Sequence, residues 1–294
     1  MGVTGGLSEN DLLEVLDREN RLGRLKGLTS AQQREALREK AGRQLLVAMI
    51  EATSGQKFEE KAFDELDEME TIGKRVYAIV AAASALGFSV TKNELLISLG
   101  DASNQSVNAL DLLFKRGVLV QARGSHQSYR ARHRVIAEII FDKLQADGQL
   151  YESLVGLALA AATQETVSHG SYSKSGRLLV KILNHNFLHR CFGMTRARQF
   201  YEELEAILRH DHHFWLQRGS LELEDGYLKL AQNFIGQAES INPDDPLVIC
   251  TASHLMFKRA LENVNALEAK TLVEQAVVQL RADIARRGER SYHA

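Results

Sequence analysis

The sequence predicts a mostly α-helical protein carrying one small β-hairpin, and three observations carry that prediction. Leu, Ala, Glu, Gln and Arg dominate, with only two prolines, Pro243 and Pro246, in 294 residues; straight-chain residues lose little rotamer freedom in a helix. Apolar residues recur at helical spacing, with polar punctuation between the stripes. One stretch, 118–132, has the two short β-prone runs of a hairpin. A hydrophobic fraction of 45% with 25% charge excludes a disordered tail, and two cysteines exclude a disulfide scaffold. The formal charge of −2 gives no global field toward nucleic acid or anionic lipid, so either would have to meet a local patch.

Residues 1–70 read as a small helical domain. Ser8 lies three before Asp11, and Ser30 three before Gln33, both capping patterns that open amphipathic stretches. Leu12, Leu13 and Leu16 form one stripe, and Leu45, Leu46, Met49 and Ile50 another; a basic, glycine-broken link over 20–27 separates them. Residues 1–10 lack the basic and apolar regions of a secretion signal. The most apolar run, 76–90, is short and interrupted by Ser84 and Gly87, which suits a buried core helix rather than a membrane span. Cys191 and Cys250 stand 59 residues apart in apolar contexts and read as buried free thiols of a reducing compartment. A cytoplasmic protein with no membrane partner is expected.

Residues 71–147 follow a different order. A helix over 75–86 is followed by the capping box Thr91-Lys92-Asn93-Glu94, which opens a second helix to about Leu99; a third spans 104–116. Val118-Leu119-Val120 and Tyr129-Arg130-Ala131-Arg132 then form strands about a turn at 124–127, and a fourth helix runs from about His133 to Gln145. Three helices, a hairpin and a helix are the order of a winged helix-turn-helix.

From Gln149 the chain is helical again and repeats. A shift of 34 places Ala197 on Ala231, Phe200 on Phe234, Tyr201 on Ile235, Leu204 on Ala238 and Ile207 on Ile241. Thirty-four is the tetratricopeptide period, and Trp215, Gly219, Ala231, Ile235, Ala238 and Pro243 occupy its signature positions. Arg218 and Glu222 depart from it, standing where Leu and Tyr are usual. A looser copy at a shift of 38 sets Ala269, Val273 and Ala276. Residues 148–294 are therefore expected to form a tetratricopeptide-like superhelix, with small residues letting paired helices approach.

No sequence of the form G-x-x-x-x-G-K-[ST] occurs, since Gly73-Lys74 has Glu68 at the first glycine position; G-x-S-x-G and H-E-x-x-H are absent too. The chain is therefore not expected to act as an enzyme on its own. Ser171-Tyr172-Ser173-Lys174 matches S-x-x-K without partner motifs and reads as a loop. His185 and His189 share a helix face, and His210, His212 and His213 crowd a helix junction; acidic ligands do not accompany the first pair, and histidines near helix ends favourably meet the dipole at a C-terminus, so they read as structural histidines, with no metal site. The stretch 112–137 holds Lys115, Arg116, Arg123, Arg130, Arg132, Arg134, His126 and His133 with no acidic residue. It fits a solvated face, a DNA-binding wing below a helix offering Asn104, Gln105 and Asn108 beside Asp111, or a face toward bound nucleotide.

In order and motif the chain resembles the region downstream of the ATPase core in STAND-type P-loop NTPases: helical lid, winged helix, then superhelical repeats. The most specific phrase is residues 129–140, YRARHRVIAEII, similar to the strand-to-helix step that carries the histidine of the family's Met-His-Asp-type motif. The resemblance implies that His133 senses the β-phosphate of ADP, with Arg132 and Arg134 beside it. Those arginines stand where the family commonly has Met and Asp. A histidine that merely caps the helix is the alternative. The resemblance further implies ADP or ATP with Mg in a full-length protein, an ATPase domain upstream or on another chain, a protein ligand on the repeats, oligomer formation on activation, and a role in signal transduction or antiviral defence. On this reading the chain is the middle-to-late section of a longer protein, or a remnant of one, and binds no cofactor alone. Two other functions share the architecture: a winged-helix transcriptional regulator with a repeat sensor, and a protein-interaction scaffold.

Overall fold

A computed structural model describes residues 29, 31–32, 58–101, 103–122, 127–165 and 173–288. Among these the chain is mostly helical, with twelve helices and one small sheet of three strands. It divides into two compact units, residues 1–74 and 75–294. The predicted caps at Ser8 and Ser30 and the stripes at 12–16 and 45–50 lie outside the described residues. Thr29 is described, and it closes a capping box one position earlier than predicted: its N–H donates to Gln32 Oε1 at 3.0 Å and its Oγ1 accepts from the Gln32 N–H at 3.4 Å. In the first unit α1 (Phe58–Asp67) buries Ala62 and Leu66.

The second unit begins in α2 (Thr71–Ala85), whose residues 76–83 are all buried, so the first part of the apolar run is a core helix as expected, while the helix ends at Ala85 and Val90 belongs to a strand. β1 (Val90–Thr91) leads into α3 (Lys92–Leu99), then come α4 (Asn104–Lys115), β2 (Leu119–Gln121), β3 (Ser128–Ala131) and α5 (Arg134–Ala146). The Thr91–Glu94 capping box is present in both halves, at 2.6 and 3.1 Å. The hairpin holds, with Leu119 opposite Ala131 and Gln121 opposite Tyr129, but it is not alone. β1 pairs antiparallel on the other edge of β3, Val90 opposite Tyr129, making three strands where the sequence predicts two. Two residues of strand show no alternation, and their partner lies about forty residues away, so the local pattern cannot reveal β1.

Beyond α5 the helices are α6 (Leu150–Glu165), α7 (Lys174–Leu183), α8 (His185–Leu208), α9 (His212–Glu224), α10 (Leu228–Ile241), α11 (Pro246–Glu262) and α12 (Ala266–Arg287). Gly156 of α6 lies so close to the Ser98 carbonyl of α3 that a Cβ there would collide with it. Lys174 Nζ donates to the buried Glu94 carboxylate at 3.1 Å, and Lys181 Nζ to the Leu86 carbonyl at 3.0 Å. Within α8, Gly193 (φ 73°, ψ 172°) breaks the helix into two segments, a left-handed φ that glycine adopts at no steric cost.

α9 and α10 form a tight helical hairpin. Gly219 faces Ile235 so closely that a Cβ would come within 2.6 Å of Ile235 Cγ1 and 3.1 Å of its backbone N. Ala231, Ile235 and Ala238 are fully buried, and Ala231 and Ile235 join Leu223, Ala252 and Leu255 of α9 and α11 in one core. Trp215 stacks on Phe234 at 5.7 Å and donates Nε1–H to the Arg209 carbonyl at 2.8 Å. Pro243 is exposed in the α10–α11 turn, and Pro246 occupies the first turn of α11, where its missing N–H costs nothing. In the looser copy Ala276 is buried as expected, whereas Val273 is 39% exposed because α12 parts from α11 there around an apolar groove of about 510 Å³. Cys191 and Cys250 are half-buried rather than buried, and burial pushes the Cys191 thiol up to about 11. Among the described residues no helix is long and apolar enough to cross a membrane.

Candidate functional site

The step from β3 into α5 is held from both sides. The Ala131 N–H donates to Ser84 Oγ of α2 at 2.9 Å, while Ser84 Oγ donates to the Val80 carbonyl at 2.6 Å. The Arg132 N–H donates to the Val118 carbonyl at 3.2 Å. On the helix side Ile136, Ala137 and Ile140 are buried. Between these anchors His133 is extended (φ −140°, ψ 143°) at the N-cap of α5, where its carbonyl accepts from the Ala137 N–H at 3.1 Å. Its side chain makes no capping hydrogen bond and is exposed, so the ring does not serve the helix as a cap. An uncapped first turn leaves N–H groups and the positive end of the helix dipole toward solvent or an anion.

The flanking arginines differ. Arg132 is half-buried, and Arg134, 73% exposed, reaches down α5 to Glu138 at 2.8 Å. The acid that balances the basic stretch thus lies one residue beyond it. Lys115, Arg116 and Arg130 are exposed, and Arg123 and His126 lie outside the described residues. Asn104, Gln105, Asn108, Asp111 and Leu112 share the exposed side of α4, with Lys115 at its far end.

The histidines do not converge. His185 begins α8 and His212 begins α9, so both sit at helix N-termini, not the C-termini the sequence suggests; there neighbouring acceptors, not the helix dipole, satisfy them. His185 meets Gln217 Oε1 at 2.7 Å through Nδ1 and Glu224 Oε1 at 2.9 Å through Nε2, while His189 is exposed. His212 Nε2 lies 3.4 Å from Asp245 Oδ2, a pairing that raises the His212 pKa and lowers that of Asp245. His213 is the reverse: its Nε2 is buried with no hydrogen-bond partner, and burial holds its pKa below the usual value. No group of three or more His, Cys, Asp or Glu residues among the described residues is arranged to hold a metal. Ser173 caps α7, while Ser171 and Tyr172 lie outside the described residues.

Sequence reasoning missed the charged pairs that join α8 to α9. Glu222, 2% exposed, receives two hydrogen bonds from Arg198 of α8, which also reaches Asp225 at 2.7 Å and lies over the Tyr227 ring. Arg218 pairs with Glu205 of α8 at 2.6 Å and lies over the Phe234 ring at 4.2 Å. The two departures from the repeat pattern therefore both pair with α8. Both face α8, and each replaces an apolar contact with an ion pair. The signal available was their departure from the repeat pattern, charged residues where Leu and Tyr are usual. Comparison with protein-family models, characterised proteins and solved structures finds no match for this chain.

Proposed function

We propose that this chain is the regulatory and sensor portion of a STAND-like nucleotide switch, in which residues 71–147 act as a winged helix and 148–294 as tetratricopeptide-like repeats. The helix–strand–helix–helix–hairpin order of α2 to β3 supports the first assignment. The close α9–α10 hairpin, with Gly219 against Ile235, supports the second. The nucleotide would be shared with a P-loop domain, since this sequence holds no such loop.

The observation that carries the reading is His133: an exposed imidazole at the N-cap of a buried-face helix, not engaged in capping, between two arginines. A ring N–H and the first-turn amides together form an anion-binding arrangement suited to a terminal phosphate. A contact made in one state and lost in another is what a switch requires, because a ligand shifts an equilibrium only by its differential affinity. Arg134 would exchange Glu138 for phosphate, at small cost because that pair is exposed. The repeats would receive a protein ligand and release the contact.

Titration of the 15N-labelled chain with Mg-ADP tests this. The His133 ring and the amides of Arg134, Val135 and Ile136 shift together, with no ATP turnover by the chain alone. Shifts elsewhere that spare this step, or measurable turnover, contradict the proposal.

A further inference from the structure

The outward stripe of α12 mixes exposed apolar residues with charges of both signs. Leu267, Thr271, Glu274, Val278, Arg281 and Ala285 follow one another at spacings of four and three, and all six are exposed. Leu267 is 74% and Val278 67% exposed. Glu274 and Arg281 are seven apart, close to two turns, so they stand on one side of the helix with Val278 between them. Glu274 is 64% exposed and pairs with Lys270 of its own helix at 3.7 Å. Such an exposed pair contributes little and yields readily to a better partner.

This stripe is complementary to itself when reversed. A second α12 laid antiparallel, with the two-fold axis passing between positions 277 and 278, sets Glu274 opposite the second copy's Arg281, and Arg281 opposite its Glu274. Val278 meets the second Val278 beside the axis, Thr271 meets Ile284, and the helix dipoles oppose. A parallel pairing would set Glu274 against Glu274 and Arg281 against Arg281. We infer that α12 is a docking surface for a second copy of this chain, paired antiparallel about Val278. The pairing is independent of the nucleotide reading.

Charge exchange tests it, using sedimentation velocity of the full chain at 1–100 μM. The wild type gains mass toward twice 32.8 kDa as concentration rises, and higher salt weakens the gain. Glu274→Arg and Arg281→Glu each weaken self-association about tenfold or more, because each sets two like-charge pairs across the axis. Mixing the two single variants restores a dimer, since one chain then carries both positive charges and the other both negative; the double variant also self-associates. A monomeric wild type at 100 μM overturns the inference, as does a dimer indifferent to either reversal, or single variants that fail to pair when mixed. None of these outcomes bears on ADP shifts at His133, so failure here leaves that reading standing.

Discussion

Arg198 holds Glu222 by two parallel hydrogen bonds, Nε to Oε1 at 2.8 Å and Nη2 to Oε2 at 2.7 Å, joining α8 to α9 through a carboxylate that is 3% exposed. Arg134 and Glu138 meet at the same 2.8 Å, but with side chains 73% and 47% exposed. Burial, not distance, separates their consequences.

Breaking the first pair leaves a buried charge uncompensated. Arg198→Met is expected to destabilise the chain by about 3–5 kcal/mol, while Arg198→Met with Glu222→Leu recovers most of the loss. Arg134→Ala changes stability by less than ~0.5 kcal/mol. Urea unfolding of the four chains decides it; equal losses at Arg198 and Arg134 contradict the assignment.

The Gly219–Ile235 approach sets the spacing of α9 and α10. Gly219→Ala places a Cβ 2.6 Å from Ile235 Cγ1, closer than carbon atoms tolerate, so one helix must shift. The expected cost is about 1–3 kcal/mol despite alanine's higher helix propensity. Gly219→Ala costs less in an Ile235→Ala background, measured by the same unfolding, because the colliding Cγ1 is gone. A stabilising Gly219→Ala would show that the helices are not in contact there.

His212 and His213 respond to pH with opposite signs. The His212 pKa is raised by its hydrogen bond to Asp245, so its stabilisation is full below the ordinary value of 6.5 and is lost as pH rises through the folded value. The His213 pKa is lowered by burial; its contribution is present above 6.5 and is lost as pH falls through the folded value. Relative to wild type, His213→Phe is therefore more stable at pH 5 than at pH 7.5, and His212→Asn less so. Thermal midpoints at the two pH values check both; shifts of the same sign in the two variants contradict the assignment.

What the sequence reveals follows from what is local in it. Thr91 and Glu94 are three residues apart, so their reciprocal capping is legible, and so is the pair of helices between Trp215 and Pro243. The charged substitutions in that pair, Arg218 and Glu222, were visible as departures, but their partners Glu205 and Arg198 lie on a preceding helix whose rotation no single-chain pattern fixes. Ser84 shows the same limit. It reads as an interruption of an apolar run, whereas its hydroxyl ties α2 to the end of β3, 47 residues away. The position of His133 at a strand-to-helix step was legible from the hairpin and the apolar face that follows. That its ring stays out of the cap was not, because an N-cap histidine and an exposed one have the same sequence.

The account rests on His133 meeting a terminal phosphate, and the ratio of ADP to AMP affinity tests that most directly. Both nucleotides share base, sugar and α-phosphate, so the ratio isolates the β-phosphate. A charge-assisted hydrogen bond contributes about 1.5–3 kcal/mol, which predicts that the chain binds ADP about tenfold or more tighter than AMP, and that His133→Ala lowers that ratio about tenfold or more. Equal affinities in the wild type, or a ratio that survives His133→Ala, would contradict the account.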